Sequence, residues 1–119
     1  MSTVLLGKEG EKAAARYLIQ NGYDVIKTNY RVAGSEVDII AQKGDTLCFI
    51  EVKTRETDDY GQPEEFVDSR KRWRIIRAAK IFTGKKVYED FYVRFDIISV
   101  INENGEHKIN HIQHAFDGS

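Results

Sequence analysis

Two short segments hold most of the side chains able to do chemistry: Gly34-Ser35-Glu36-Val37-Asp38-Ile39-Ile40 and Phe49-Ile50-Glu51-Val52-Lys53-Thr54. Both are rich in β-branched and apolar residues and read as strands. Side chains alternate along a strand, so Glu51 and Lys53 share a face, as do Glu36 and Asp38. If Lys43 to Thr46 form a hairpin loop, Asp38 lies directly opposite Glu51, with Cβ atoms about 4.5–5.5 Å apart. Two carboxylates that close repel unless positive charge stands between them, and Lys53 is a partial answer. A divalent cation is a better one, because Mg²⁺ is held by one or two carboxylates together with waters and phosphate oxygens.

Asp38 and Glu51 are therefore candidate ligands for Mg²⁺ or Mn²⁺, with the Val52 carbonyl as a third oxygen. Such an ion acidifies a bound water and neutralises charge building on a phosphodiester. Lys53 would orient the attacking water or stabilise the pentavalent state. The plainer reading is a surface ion pair on an edge strand. Against it, Ile39, Ile40, Cys48, Phe49, Ile50 and Val52 make these strands among the most apolar in the chain. Charges embedded there are costly unless paired or metal-bound.

These residues need elements to position them, and the pattern gives the order α-β-β-β-α-β-β. Gly10 to Gln20 reads as a helix, with Gly10, Ala13, Ala14, Tyr17 and Leu18 on one face, and Asn21-Gly22 stops it. Strands follow at 23–31, 36–41 and 47–54, with turns at Val32-Ala33-Gly34-Ser35 and in the segment 42–46. A second helix starts near Arg70 and ends near Gly84. Phe91 to Ile101 is the longest apolar strand, and a last strand spans His107 to Gln113 after the turn at 102–105. The expected fold class is α/β, a mixed sheet of about five strands flanked by helices, in one domain over residues 1–119. Glu11 sits at the rim of the first helix's apolar face and Glu9 on its polar side. Glu11 is thus either an auxiliary acid leaning toward the sheet or a helix N-terminal acid favoured by the macrodipole.

The chain has 119 residues and a formal net charge of −1, with 41% hydrophobic and 31% charged residues. That composition fits one globular domain and excludes intrinsic disorder. The Val4-Leu5-Leu6 run is too short for a membrane span or a signal-peptide core. One cysteine, Cys48, allows neither an internal disulfide nor a zinc knuckle, and points to a reducing cytoplasm. The near-neutral sum hides a strong polarity. Arg70 to Lys86 carries eight basic residues and no acid, while Glu56 to Asp68 carries six acids and no base.

On the second helix Ile75, Ala78, Ala79 and Phe82 form an apolar arc, and Arg70, Arg74 and Arg77 lie opposite. Trp73 and Lys80 flank the basic side. A basic face with an aromatic suits phosphates and a stacked base; the alternative is a boundary Trp packed under an Arg. Arg55 and Lys71 are further candidate phosphate contacts, Arg55 alternatively a surface ion pair. Asp96, between Phe95 and Ile97, reads as a partner of Arg94 or of backbone, and Cys48 as a buried small hydrophobe. His107, His111 and His114 are too scattered to form a metal site.

Taken together and in order, these residues resemble the YraN-type family of small bacterial proteins within the PD-(D/E)XK nuclease superfamily. The resemblance rests on Gly7-Lys8-Glu9-Gly10-Glu11 with Ala14 and Tyr17-Leu18, then Asn29-Tyr30-Arg31, Glu36-Val37-Asp38-Ile39-Ile40 and Phe49-Ile50-Glu51-Val52-Lys53-Thr54-Arg55. It continues through Tyr60-Gly61 with Pro63, Lys71, Arg94-Phe95-Asp96 and His111-Ile112 with Ala115-Phe116. It implies a restriction-endonuclease-like core close to the Holliday-junction-resolvase branch. There the first acid maps onto Asp38, the E-x-K onto Glu51 and Lys53, and the helix-one acid onto Glu11. Val37 stands where the superfamily's nominal Pro would, as is usual for this branch. Ser35 stands where the family usually carries Gly, with Gly34 one residue earlier. The implied activity is a Mg²⁺- or Mn²⁺-dependent DNA endonuclease for branched or damaged DNA, working as a homodimer. The alternatives are a nucleic-acid-binding module without turnover, and a protein-interaction adaptor.

Overall fold

The computed structural model describes residues 3–56 and 67–118 of the chain. Helix α1 (Thr3–Gln20) leads into strands β1 (Asp24–Val32), β2 (Ser35–Lys43) and β3 (Thr46–Arg55); α2 (Ser69–Phe82), a 3-10 turn (Lys86–Tyr88), β4 (Tyr92–Glu103) and β5 (Glu106–Phe116) follow. The five strands make one sheet in the order β1-β2-β3-β4-β5. All neighbours are antiparallel except β3 and β4, which run parallel and are joined by the crossover that carries α2. This is the mixed α/β architecture, and the element order, that the sequence pattern implies.

Tight turns fix the registers. Ala33-Gly34 and Asn104-Gly105 both adopt left-handed backbone at two successive positions, which matches the twist of the strands they join. Between β2 and β3 only Gly44 and Asp45 are unpaired, because Lys43 and Thr46 pair with each other. The loop is two residues shorter than expected, but the register it sets is unchanged.

Helix α1 begins at Thr3, seven residues before the Gly10 at which the periodic pattern starts. Gly7 and Gly10 are weak helix formers that blur the pattern there. Gly10 is nonetheless required, since α1 crosses β3 so closely that a Cβ at this position would run into the Thr54 side chain. Helix α2 starts from Asp68, whose side chain accepts the Lys71 N–H at 2.9 Å. Strand β5 runs three residues past Gln113, because a register shift and left-handed backbone at His114 let Phe116 reach Phe95. Of the acidic stretch, Asp58, Asp59, Glu64 and Glu65, with Tyr60-Gly61-Gln62-Pro63, lie outside the described residues.

Each face of the sheet has its own core. Leu47, Phe49, Phe95 and Ile97 pack under α2 with Ile75, Ala78 and Phe82. Cys48, Ile50, Ile98 and Val100 pack under α1 with Ala14 and Leu18. With both faces covered, β3 is apolar without alternation from Leu47 to Ile50.

Strand β2 breaks this regularity. Its residues Ile39 and Ala41 belong to the α1-side core, yet Val37 belongs to the α2-side core. The inversion falls at Asp38, opposite Asn29 of β1, whose backbone is left-handed with φ 53°. Pairing of β2 with β3 ends at Ile39 and Ile50. Beyond that pair β2 continues only with β1, and β3 only with β4. The sheet forks at Asp38.

Candidate functional site

The fork leaves the β2-facing edge of β3 without a backbone partner past Ile50, and a side chain takes over. Asp38 Oδ2 accepts the Val52 N–H at 2.8 Å. The N–H and carbonyl of a strand residue point to the same edge, so the Val52 carbonyl also faces the fork. Glu51, only 5% exposed, points to the α2 side of β3, where Lys71 Nζ of α2 lies 2.5 Å and Lys53 Nζ 3.6 Å from its Oε1. Glu11, half-buried on α1, is hydrogen-bonded to the Asn29 side chain and close enough to repel Glu36 and Glu51. The gap between the strands thus admits side chains from both helices.

Charge in this cluster is unevenly balanced. Burial, and after it the negative Glu51, push the Asp38 carboxyl up to about 7, against the pull of the Val52 N–H. Burial also raises Glu11, partly offset by Asn29. Lys53 is held below the usual lysine range by burial and by its contact with Lys71. Burial acts on Lys71 in the same sense, but Glu51 outweighs it and holds this ammonium above the usual range. Two lysines therefore serve Glu51, while Asp38 keeps its negative charge only at a cost. A hard divalent cation fits that deficit and this all-oxygen donor set. Among the described residues no three His, Cys, Asp or Glu side chains converge as a complete metal cluster. Asp38, Glu51 and the Val52 carbonyl would have to share the ion with water or substrate oxygens, as Mg²⁺ sites do.

Residues 10–100 match the family described as "Uncharacterised protein family UPF0102". The chain belongs to that family. It is 44% identical over 117 residues to a UPF0102 protein of Prosthecochloris aestuarii, covering 93% of this chain and 92% of that one. A UPF0102 protein of Bacteroides thetaiotaomicron is 47% identical over 112 residues, covering 93% and 91%. Among solved structures, Pyrococcus furiosus SfsA in complex with Ca²⁺ matches with a TM-score of 0.40 and 18% identity. That match covers 94% of this chain but only 64% of SfsA.

In this UPF0102 chain Asp38, Glu51, Lys53 and the Val52 backbone come together, with Glu11 at the edge. Arg55 follows Lys53 on the same face of β3, half-buried. Lys71, read from the sequence as one of the phosphate contacts on the basic helix, also pairs with Glu51, a partner the sequence reading did not give it. One signal was available: Lys71 lies 100° from Arg70 around the helix, toward the apolar arc. Arg70, Arg74 and Arg77 are exposed on the outer side of α2, as expected. Arg70, Lys71, Arg74 and Ile75, with Asp68, Gly34 and Glu36, line an open cleft of about 510 Å³ beside the carboxylates.

A second polar cluster was only partly visible in the sequence. Asp96 is fully buried; Arg94 donates to it from Nε at 2.9 Å and from Nη2 at 2.9 Å. The pairing with Arg94 is the expected one. A backbone partner was the alternative expected, and it is present as well; His111 and Tyr23 were not anticipated. His111 Nε2 lies 2.7 Å from Asp96 Oδ2, the His114 N–H donates at 3.2 Å, and Arg94 Nη2 also donates to the Tyr23 hydroxyl at 2.6 Å. Tyr17 of α1 closes the chain, its hydroxyl 3.1 Å from His111 Nδ1. Cys48 is buried, and burial pushes its thiol up to about 12, so it stays an inert thiol.

Proposed function

We propose that this protein is a Mg²⁺- or Mn²⁺-dependent endonuclease that hydrolyses phosphodiester bonds in branched or damaged DNA in the cytoplasm. The observation that carries the reading is the pairing of half-buried Asp38 with buried Glu51 at the fork of the sheet, where both lysines sit on Glu51 and a backbone N–H holds Asp38. Family membership and the E-x-K spacing of Glu51 and Lys53 agree with it. Asp38 and Glu51 would hold the ion with the Val52 carbonyl; when bound, it supplies an acidified water and neutralises charge at the scissile phosphate.

The chain's own residues do the remainder. Lys53, its ammonium weakened by burial, orients the attacking water and stabilises charge growing on the phosphate. Glu11 is an auxiliary acid at the mouth of the fork. Arg70, Arg74 and Arg77, with Arg55 nearer the centre, bind the flanking phosphates, and Lys71, which lines the cleft with Arg70 and Arg74, also reaches Glu51. As in the family resemblance, two copies would work together on a two-armed substrate.

The test uses labelled linear, flapped and four-way DNA with Mg²⁺ or Mn²⁺. Cleavage of at least one substrate is expected, abolished by Glu51→Gln and reduced at least about 100-fold by Lys53→Ala, the usual scale for losing one stabilising group. Absence of cleavage on every substrate, or activity that survives both substitutions, sinks the reading. Salt-dependent binding without metal-dependent turnover would instead identify a nucleic-acid-binding module.

A further inference from the structure

The basic surface of α2 holds one residue that phosphate binding does not explain. Trp73 is 59% exposed, far more than a ring packed at the edge of a core. The Arg77 guanidinium lies over the indole, 5.5 Å from its centroid, bracing one side of it. Beside the ring is a cavity of about 410 Å³ lined by Trp73, Ile76, Arg77, Lys80, Ile81 and Gly118. Its surroundings are of two kinds: the indole, Ile76 and Ile81 offer flat or apolar contact, and Arg77 and Lys80 offer positive charge. A planar apolar body carrying a phosphate meets both, and an unpaired nucleotide is such a body. A base inside a duplex has its faces covered by its neighbours and cannot use the indole.

The position of the ring joins it to the cleft beside the carboxylates. Arg70 and Arg74 line that cleft with Lys71, and Arg70, Arg74 and Arg77 follow one another at i, i+4 and i+7 on the same helix. A band of cations therefore runs around α2 from Lys71 to Trp73. We infer that Trp73 is a stacking site for an unpaired base, and that the DNA engaged here carries a single-stranded segment along this band. The inference rests on the DNA-binding part of the proposed function and adds the substrate class.

Trp73 is the only tryptophan in the chain, so intrinsic fluorescence reports on this ring alone. The experiment titrates the full chain with a 15-mer of oligo(dT) and with a blunt duplex of equal length, in low salt without divalent ions. Oligo(dT) is expected to quench the emission saturably and the duplex to leave it nearly unchanged. In anisotropy with labelled DNA, Trp73→Ala is expected to weaken oligo(dT) binding about 5- to 100-fold, the worth of one base–aromatic stack. Duplex binding should change less than about 2-fold, and Trp73→Phe should keep most of the affinity.

Salt-dependent binding of oligo(dT) with no quenching, or equal losses on both DNAs in Trp73→Ala, overturns the stacking site and leaves DNA binding intact. An emission shift that follows protein concentration and not DNA overturns it in favour of contact between copies. Failure of the native chain to bind either DNA removes the DNA reading itself, and this inference with it.

Discussion

Glu51 and Asp96 are buried carboxylates on neighbouring strands, one residue out of register, that point to opposite faces of one sheet. Asp96 enters the α1 side and is surrounded by donors: Arg94 twice, His111 and a backbone N–H. Burial alone would raise it, but His111 and Arg94 outweigh burial and hold it below the ordinary carboxylate range. Glu51 enters the α2 side and shares its neighbourhood with Asp38, which burial and Glu51 drive up to about 7. One cluster is closed, its charge balanced and its acceptors filled. The other is open: its two lysines both sit on Glu51, while Asp38 is held by a backbone N–H. Burial of an acid is therefore not the mark of a site; what distinguishes a site from a brace is the part of the charge left unbalanced.

Three measurements bear on that contrast. The largest effect belongs to the closed cluster. Arg94→Ala leaves Asp96 buried with His111 as its main partner, and should cost about 3–5 kcal/mol in urea unfolding, the scale for breaking a buried ion pair. A loss near zero would show that Asp96 is not balanced by Arg94.

Next is the pH dependence of Asp38 without metal. Its folded pKa lies above its unfolded value, so between about pH 4 and 7 the folded chain binds more protons than the unfolded one, and stability falls as pH rises. Asp38→Asn removes that fall. At pH 8 the variant should be more stable than the native chain by on the order of 3 kcal/mol, with the difference gone below about pH 4. Asp96 has the opposite sign, its contribution being lost only as pH drops below the ordinary carboxylate range. A native chain that gained stability over Asp38→Asn between pH 4 and 7 would contradict the open character of the first cluster.

The smallest effect is that of added metal. Mg²⁺ at one hundred times its dissociation constant should stabilise the native chain by about 2.7 kcal/mol. The gain, read as a rise in melting temperature at pH 8, should vanish in Asp38→Asn. Equal shifts in both proteins would place any bound ion elsewhere.

Much of the open cluster was legible in the sequence because its parts are close together along it. Asp38 and Glu51 lie one step past the last paired residues of one tight hairpin, so alternation and a short turn suffice to bring them close. The fork replaces the direct cross-strand pair expected with a bond from the Val52 N–H to Asp38. The expected loop, Lys43 to Thr46, was two residues too long, but a paired Lys43 and Thr46 preserve the register. What could not be read there is the fork, which depends on left-handed backbone at Asn29 in a neighbouring strand.

The pairing of Lys71 with Glu51 was missed for a related reason. Charge patterning groups basic residues by helix, whereas its partner is chosen by how α2 lies on β3. The closed cluster was harder still. Tyr17, Tyr23, Arg94, Asp96 and His111 come from α1, the turn before β1, and strands β4 and β5, and only Arg94 and Asp96 are joined by local spacing. The start of α1 was hidden by two glycines, one of which the packing requires.

That glycine has a consequence for the open cluster. Gly10 is where α1 rests against Thr54 of β3, and the next residue is Glu11. The hydrogen in place of a side chain at position 10 acts as a spacer of minimum thickness between helix and strand. It sets how deeply Glu11 can lean into the fork without itself carrying charge or touching the carboxylates. A single methyl group there would lift the helix and draw the acid outward, detuning the site by a purely mechanical route.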